Sequence, residues 1–166
     1  MKDFSLIAIL TSIDIYLKYF FSTFTLKPYS FLPFLDLYVT ENRGIALSML
    51  DDLNDEMQFV LTLTIFFVLV FLISQYFRSE GRFQKFAIII IFAGGLGNFL
   101  ERIYHGYVTD YLHLHINNYS LFVFNFADAL ITLGAIIIVF TIVNNNENRI
   151  TSVSYTHLRA HETPLH

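Results

Sequence analysis

Four stretches of this sequence are apolar for long enough to lie in a lipid bilayer, and nothing else in the chain restricts its fold so strongly. A helix needs roughly 20 mainly apolar residues to cross the hydrocarbon core. Met57–Phe77 supplies twenty-one residues without one charged side chain. Phe4–Phe21 is apolar apart from Asp14 and Lys18, and Tyr119–Val143 carries a single charge, Asp128. Phe86–Leu100 is uncharged over fifteen residues, so this span is short or continues beyond Glu101. Nineteen Phe and ten Tyr among 166 residues are more than the core of a soluble domain of this size uses. The expectation is an all-α membrane protein of four transmembrane helices, with the lipid bilayer as its first partner.

The loops orient that bundle. Arg78, Arg82 and Lys85 stand between the second and third spans against Glu80 alone, Lys2 precedes the first span and Arg149 follows the fourth. The connection from Ser22 to Glu56 instead carries Asp36, Glu41, Asp51, Asp52, Asp55 and Glu56, with Lys27 and Arg43 as its bases. Short basic loops remain in the cytoplasm. Both termini are therefore expected inside, with 22–56 and a second loop over 101–118 outside. The outer loops contain "FLPFLDLYVTEN" (31–42) and "GYVTDYLHLHI" (106–116), partly alternating and rich in β-formers, so a small extracytoplasmic β-cradle is expected to sit on the helices.

The opening MKDFSLIAIL lacks a small-residue cleavage site and reads as a retained helix. Residues 1–143 read as one integral-membrane domain without internal repeats. Residues 144–166 read as a polar tail, disordered or non-native, since "VSYTHLRAHETPLH" has no apolar face to bury. With no cysteine there is no disulfide, thiol nucleophile or cysteine metal site. The net charge of −4 argues against a nucleic-acid partner.

Polar residues inside such spans are costly and usually functional. Asp14 and Lys18, four apart on one helix face, are read as a structural polar pair. Gly94, Gly95 and Gly97 let neighbouring helices approach closely. Asn98, Glu101 and Arg102 follow, then Asp110 past the turn residue Gly106. Asn125 and Asp128 are three apart on one face, one to two turns inside the outer boundary. If Asp110 and Asp128 converge near the outer surface, they cannot both ionise cheaply, and one keeps its proton while the other acts as a base. That arrangement suits acid–base activation of water in an aspartyl hydrolase; a proton relay or an ion-transport site would use the same carboxylates. His113 and His115 share a strand face as a candidate pair of metal ligands, but no HExxH motif or third ligand accompanies them, and they are read as surface histidines. No serine has a GxSxG context.

Taken together, five elements resemble the bacterial lipoprotein signal peptidases (signal peptidase II). They are the Asp14/Lys18 pair, "NRGIALS" at 42–48, "GGLGNFLER" at 94–102, "GYVTDY" at 106–111 and "FNFAD" at 124–128, agreeing in order and spacing over residues 4–143. The resemblance implies cleavage of signal peptides from diacylglyceryl-modified prolipoproteins, on the amino side of the lipidated cysteine. It implies Asp110 and Asp128 as the catalytic aspartates, with Asn42, Gly44, Asn98, Arg102 and Asn125 supporting them or binding substrate. It further implies no metal and no cofactor, a monomer, and a multi-pass protein of the bacterial cytoplasmic (inner) membrane with its active site at the outer face. Glu101, Leu47 and Tyr111 depart from the usual Asp, Phe and Phe. A proton-coupled transporter is the rival class, weakened by four spans without an inverted repeat, and a catalytically dead peptide-binding relative is the other; the presence of both aspartates argues against it.

Overall fold

The computed structural model describes residues 2–24, 28–44, 55–117 and 119–160, with the backbone alone for Phe24, Asp55 and residues 145–160. Ile45–Ser48 of the loop motif, Leu47 among them, the acidic Asp51 and Asp52, Lys27 and the Arg149 side chain lie outside the described residues. Four long helices, α1 (Lys2–Phe24), α2 (Asp55–Arg78), α3 (Arg82–His105) and α4 (Phe126–Ala160), carry a four-stranded sheet. The strands are β1 (Tyr29–Leu32), β2 (Leu35–Asn42), β3 (Val108–Ile116) and β4 (Tyr119–Phe124), antiparallel in the order β1-β2-β3-β4.

Each helix contains a segment long and apolar enough to cross a membrane: Lys2–Thr23, Glu56–Arg78, Arg82–His105 and Phe126–Asn144. The burial is that of a bundle whose solvent is lipid. Phe59, Phe66, Phe67 and Phe71 of α2 and Ile136, Val139 and Phe140 of α4 are all exposed. The third span resolves the choice left open by its sequence, because it continues through Glu101 and Arg102 to His105. The fourth differs from expectation. Tyr119–Phe124 is strand, and the helix begins only at Phe126. A strand with apolar residues on both faces, here "YSLFVF", cannot be told from the start of an apolar helix by hydrophobicity alone.

Helix α3 is the centre of the bundle, and α1, α2 and α4 each pack on it. Without a hydrophobic driving force in lipid, close approach through small residues holds such helices together. A Cβ on Gly94 would strike the Ala127 carbonyl and Ile131 of α4, one on Gly134 would strike Ile91 and the Ala87 carbonyl of α3, and one on Gly97 would overlap the Asp14 carboxylate of α1. Gly106 then ends α3 in the left-handed region, at φ 79°, where it donates its N–H to the Arg102 carbonyl at 2.9 Å and turns the chain into β3. Where the sequence reading has a disordered or non-native tail from residue 144, the backbone of α4 continues as helix to Ala160.

Candidate active site

Helix α4 starts at a reciprocal cap. Asn125 Oδ1 accepts the Asp128 N–H at 3.0 Å, Asp128 Oδ2 accepts the Asn125 N–H at 3.2 Å, and the Asn125 carbonyl accepts the first helical bond from Ala129. This is capping-box logic with Asn and Asp in the two roles. It fixes Asp128 in the first turn of α4, and the apolar residues before Asn125 belong to β4.

Register brings the second carboxylate to the same place. Asp110 lies in β3 opposite Thr40 of β2, and β4 returns antiparallel to β3 so that the chain enters α4 beside it. Asp110 is 1% exposed and both its oxygens are held: Oδ2 accepts from Asn42 Nδ2 at 2.9 Å, and Oδ1 accepts from Asn125 Nδ2 at 2.6 Å. Burial pushes the Asp110 carboxyl up to about 7, the charge of Asp128 adds to the rise, and the Asn42 and Asn125 hydrogen bonds and the Lys18 charge oppose it.

The remaining candidates close around this pair. Asn98 Nδ2 donates to Asp128 Oδ1 at 2.9 Å. Asn42 Oδ1 accepts the Gly44 N–H at 2.9 Å, and Arg102 Nη2 donates to the Gly44 carbonyl at 2.7 Å, so Arg102 pins the strand end that presents Asn42. Asn42, Gly44, Asn98, Arg102, Asp110, Asn125 and Asp128 line one cavity of about 260 Å³. Its lower wall is apolar and includes Leu61, Ile65 and Val68 of α2, Ile91 of α3 and Ile131 of α4. A buried carboxylate beside a part-buried one, between amide donors and above an apolar lane, can activate water while an extended chain lies across it.

Asp14 and Lys18 pair at 2.8 Å with 0% and 2% of their side chains exposed, as their spacing predicts. Asp14 Oδ1 also accepts the Ala127 N–H at 2.9 Å, which ties α1 to the residue before Asp128. Tyr111, a departure from the Phe that the resemblance implies, is 2% exposed, stacks on Phe21 with centroids 4.4 Å apart, and accepts the Phe126 N–H on its hydroxyl at 3.1 Å. That oxygen satisfies one of the orphan N-terminal donors of α4, which a Phe could not do. No periodicity signal marks such a contact.

His113 and His115 share a face, as alternation requires, and flank Asp36 at 3.6 and 3.2 Å. His113 Nε2 also contacts Ser120 Oγ at 2.8 Å. The Ser30 hydroxyl, with the histidines behind it, holds the Asp36 carboxyl below its ordinary value. Among the described residues no group of three or more His, Asp or Glu side chains is placed to hold a metal ion.

The model of the family described as Signal peptidase (SPase) II matches residues 6–144. The chain is 40% identical over 110 residues to proteins named lipoprotein signal peptidase from Brucella ovis and Brucella abortus, covering 65% of this chain and 67% of each relative. Among solved structures, a bacterial membrane enzyme determined by the in meso method at 2.3 Å resolution superposes with a TM-score of 0.73 at 27% identity, over 89% of this chain and 90% of that one. A second, at 1.9 Å resolution, gives 0.67 at 28% identity over 85% and 92% of the two chains.

Proposed function

The chain belongs to the signal peptidase II family, and from that membership we propose that it is an aspartyl endopeptidase whose catalytic pair is Asp110 and Asp128. It is a multi-pass membrane protease that removes signal peptides from prolipoproteins, cleaving on the amino side of the diacylglyceryl-modified cysteine. One observation carries the aspartyl assignment: Asn125 bridges the two carboxylates, donating its side-chain N–H to Asp110 and its backbone N–H to Asp128 inside a single cavity.

In the reading we favour, Asp110 holds the shared proton, consistent with its carboxyl lying near 7, and Asp128 is the base. A water between them loses a proton to Asp128 and attacks the scissile carbonyl, while Asp110 donates its proton to the carbonyl oxygen. Collapse of the tetrahedral intermediate returns that proton to Asp110, breaks the C–N bond and passes the proton on Asp128 to the departing amine. Asn42 donates to Asp110 and Asn98 to Asp128, and Arg102 and Gly44 shape the end of β2 over which the substrate backbone passes. The lipid chains of the substrate stay in the bilayer while its peptide bond reaches the dyad.

The same proposal places the termini in the cytoplasm and the dyad at the outer face of the bacterial inner membrane, supported by Arg78, Arg82 and Lys85 at the α2–α3 connection and Lys2 at the start of α1. Residues 1–143 form the peptidase, acting as a monomer, and 144–166 contribute nothing to turnover. The test is cleavage of a lipidated prolipoprotein by purified protein. Asp110→Asn and Asp128→Asn should each nearly abolish turnover while still binding substrate, and the double variant should lose little more, since the two act as a unit. Turnover surviving in either single variant rules out an obligatory dyad. Inactivation by chelator that zinc restores would move the chemistry to a metal site.

A further inference from the structure

Lys18 is buried beneath the dyad, hydrogen-bonded to Asn98 and ion-paired with two carboxylates. Nζ lies 2.8 Å from Asp14 Oδ2, 2.5 Å from Asn98 Oδ1 and 3.2 Å from Glu101 Oε2. An ammonium only donates, so Lys18 forces the oxygen of the Asn98 amide toward α1 and turns its NH₂ to Asp128 Oδ1. With the amide reversed, an oxygen would face the Asp128 carboxylate. Glu101 carries the second link. Its Oε2, ion-paired with Lys18, accepts the Thr109 N–H at 3.1 Å, and its Oε1 accepts the Thr109 hydroxyl at 2.6 Å. Thr109 is the neighbour of Asp110. Asp14, the third partner, accepts the N–H of Ala127, the neighbour of Asp128.

Resting on the dyad reading above, we propose that Lys18 is a positioning residue for both catalytic carboxylates, acting on Asp128 through the Asn98 amide and on Asp110 through Glu101 and Thr109. A neutral pair of buried charges would need none of this. Two of the three ties of the ammonium lead away from Asp14, each ending on a group that fixes one aspartate. The electrostatic setting agrees with the geometry. Asp110 is faced by Lys18 from α1, Asn42 from β2, Arg102 from α3, the cap residue Asn125, and Asp128 from α4, and the Lys18 charge favours its ionised form.

Lys18→Met keeps the buried stem and removes the ammonium. In purified, inserted protein kcat should fall roughly 10- to 100-fold, the scale of a misplaced catalytic group, while KM stays within a factor of three. The alkaline limb of the pH profile should move up by about one unit as the positive charge near Asp110 is lost. Combined with Asn98→Ala, the loss in kcat should be smaller than the product of the single losses, because both act through one amide. Thr109→Val, nearly isosteric, removes only the hydroxyl tie to Glu101 and should lower kcat several-fold without a change in KM, which keeps the proposal testable if Lys18→Met does not insert. A lowered Tm with unchanged kcat and pH profile in Lys18→Met, or wild-type kcat in Thr109→Val, overturns it. Asp110→Asn, run alongside, separates the two readings: residual turnover there removes the dyad, whereas an inactive Asp110→Asn beside an unaffected Lys18→Met removes only the role of Lys18.

Discussion

Replacing Asn125 separates structural from chemical roles at one fully buried side chain. Asn125 caps α4 through its Oδ1 and supplies Asp110 Oδ1 with a donor through its Nδ2. Asn125→Ala removes both. The lost cap costs about 1 kcal/mol, and leaving a buried acceptor unsatisfied costs about 1–3 kcal/mol more. Asn125→Ser keeps an effective cap but is too short to reach Asp110, so it should show only the second cost. The two variants should therefore differ in Tm by about 2–4 °C, the shift that 1 kcal/mol gives on the scale of soluble domains of 150–250 residues. Their catalytic defects, by contrast, should be alike. With Asp110 holding the proton, its bond to Asn125 joins neutral groups and contributes about 0.5–1.5 kcal/mol, which corresponds to roughly a 2- to 13-fold loss in kcat at 1.36 kcal/mol per decade. Because the Asn125 donor holds the Asp110 carboxyl down against burial, losing it should raise the alkaline limb of the activity profile by about one to two units. Thermal unfolding in detergent and a pH series of single-turnover cleavage give the measurements. Wild-type kcat in Asn125→Ser, or an alkaline limb that moves down, would refute the bridge as the organiser of the pair.

Stability should depend on pH through Asp110. Its folded value of about 7 lies above the ordinary 3.8, so its contribution is complete below about pH 4 and is lost as pH rises through about 7, a span worth about 4 kcal/mol; Asp110→Asn should flatten the fall in Tm between those limits, and a parallel fall would refute the link. Gly97→Ala should cost about 1–3 kcal/mol and most of the activity, since its methyl would displace an Asp14 carboxylate tied to both Lys18 and Ala127; an unchanged Tm would show that α1 yields freely. A reporter fused after Arg82 should read out in the cytoplasm and one inserted near Asp52 outside, and the reverse result would put the dyad on the wrong face.

The parts of the fold visible in sequence are those set by composition over a long window. Met57–Phe77 could only be a membrane helix, and α2 is one. Asp14 and Lys18 pair because helical spacing is local information. Alternation in 31–42 and 106–116 announces β2 and β3, but β4 is hidden, because its apolar residues merge with those of α4. A carboxylate in an apolar run signalled function, and the order of five motifs named its neighbours. Their meeting was not readable. It depends on the β3–β4 register and on the rotation of Asn125 at a helix cap, while the links from Lys18 to Asn98 and Glu101 span about 80 residues of chain and have no period of their own.

The cavity that holds Asp110 and Asp128 continues down an apolar wall between α2 and α4, where Val68 is half exposed. A site that opens sideways in this way meets its substrate by diffusion within a plane. The governing concentration is then the mole fraction of prolipoprotein among lipids, not its molarity in the sample. Adding inert phospholipid at fixed amounts of protein and substrate dilutes the reactants although the volume is unchanged, so an apparent KM has meaning only beside the lipid content at which it was measured. Crowding by other membrane proteins, by the same logic, alters turnover without touching one residue of the site.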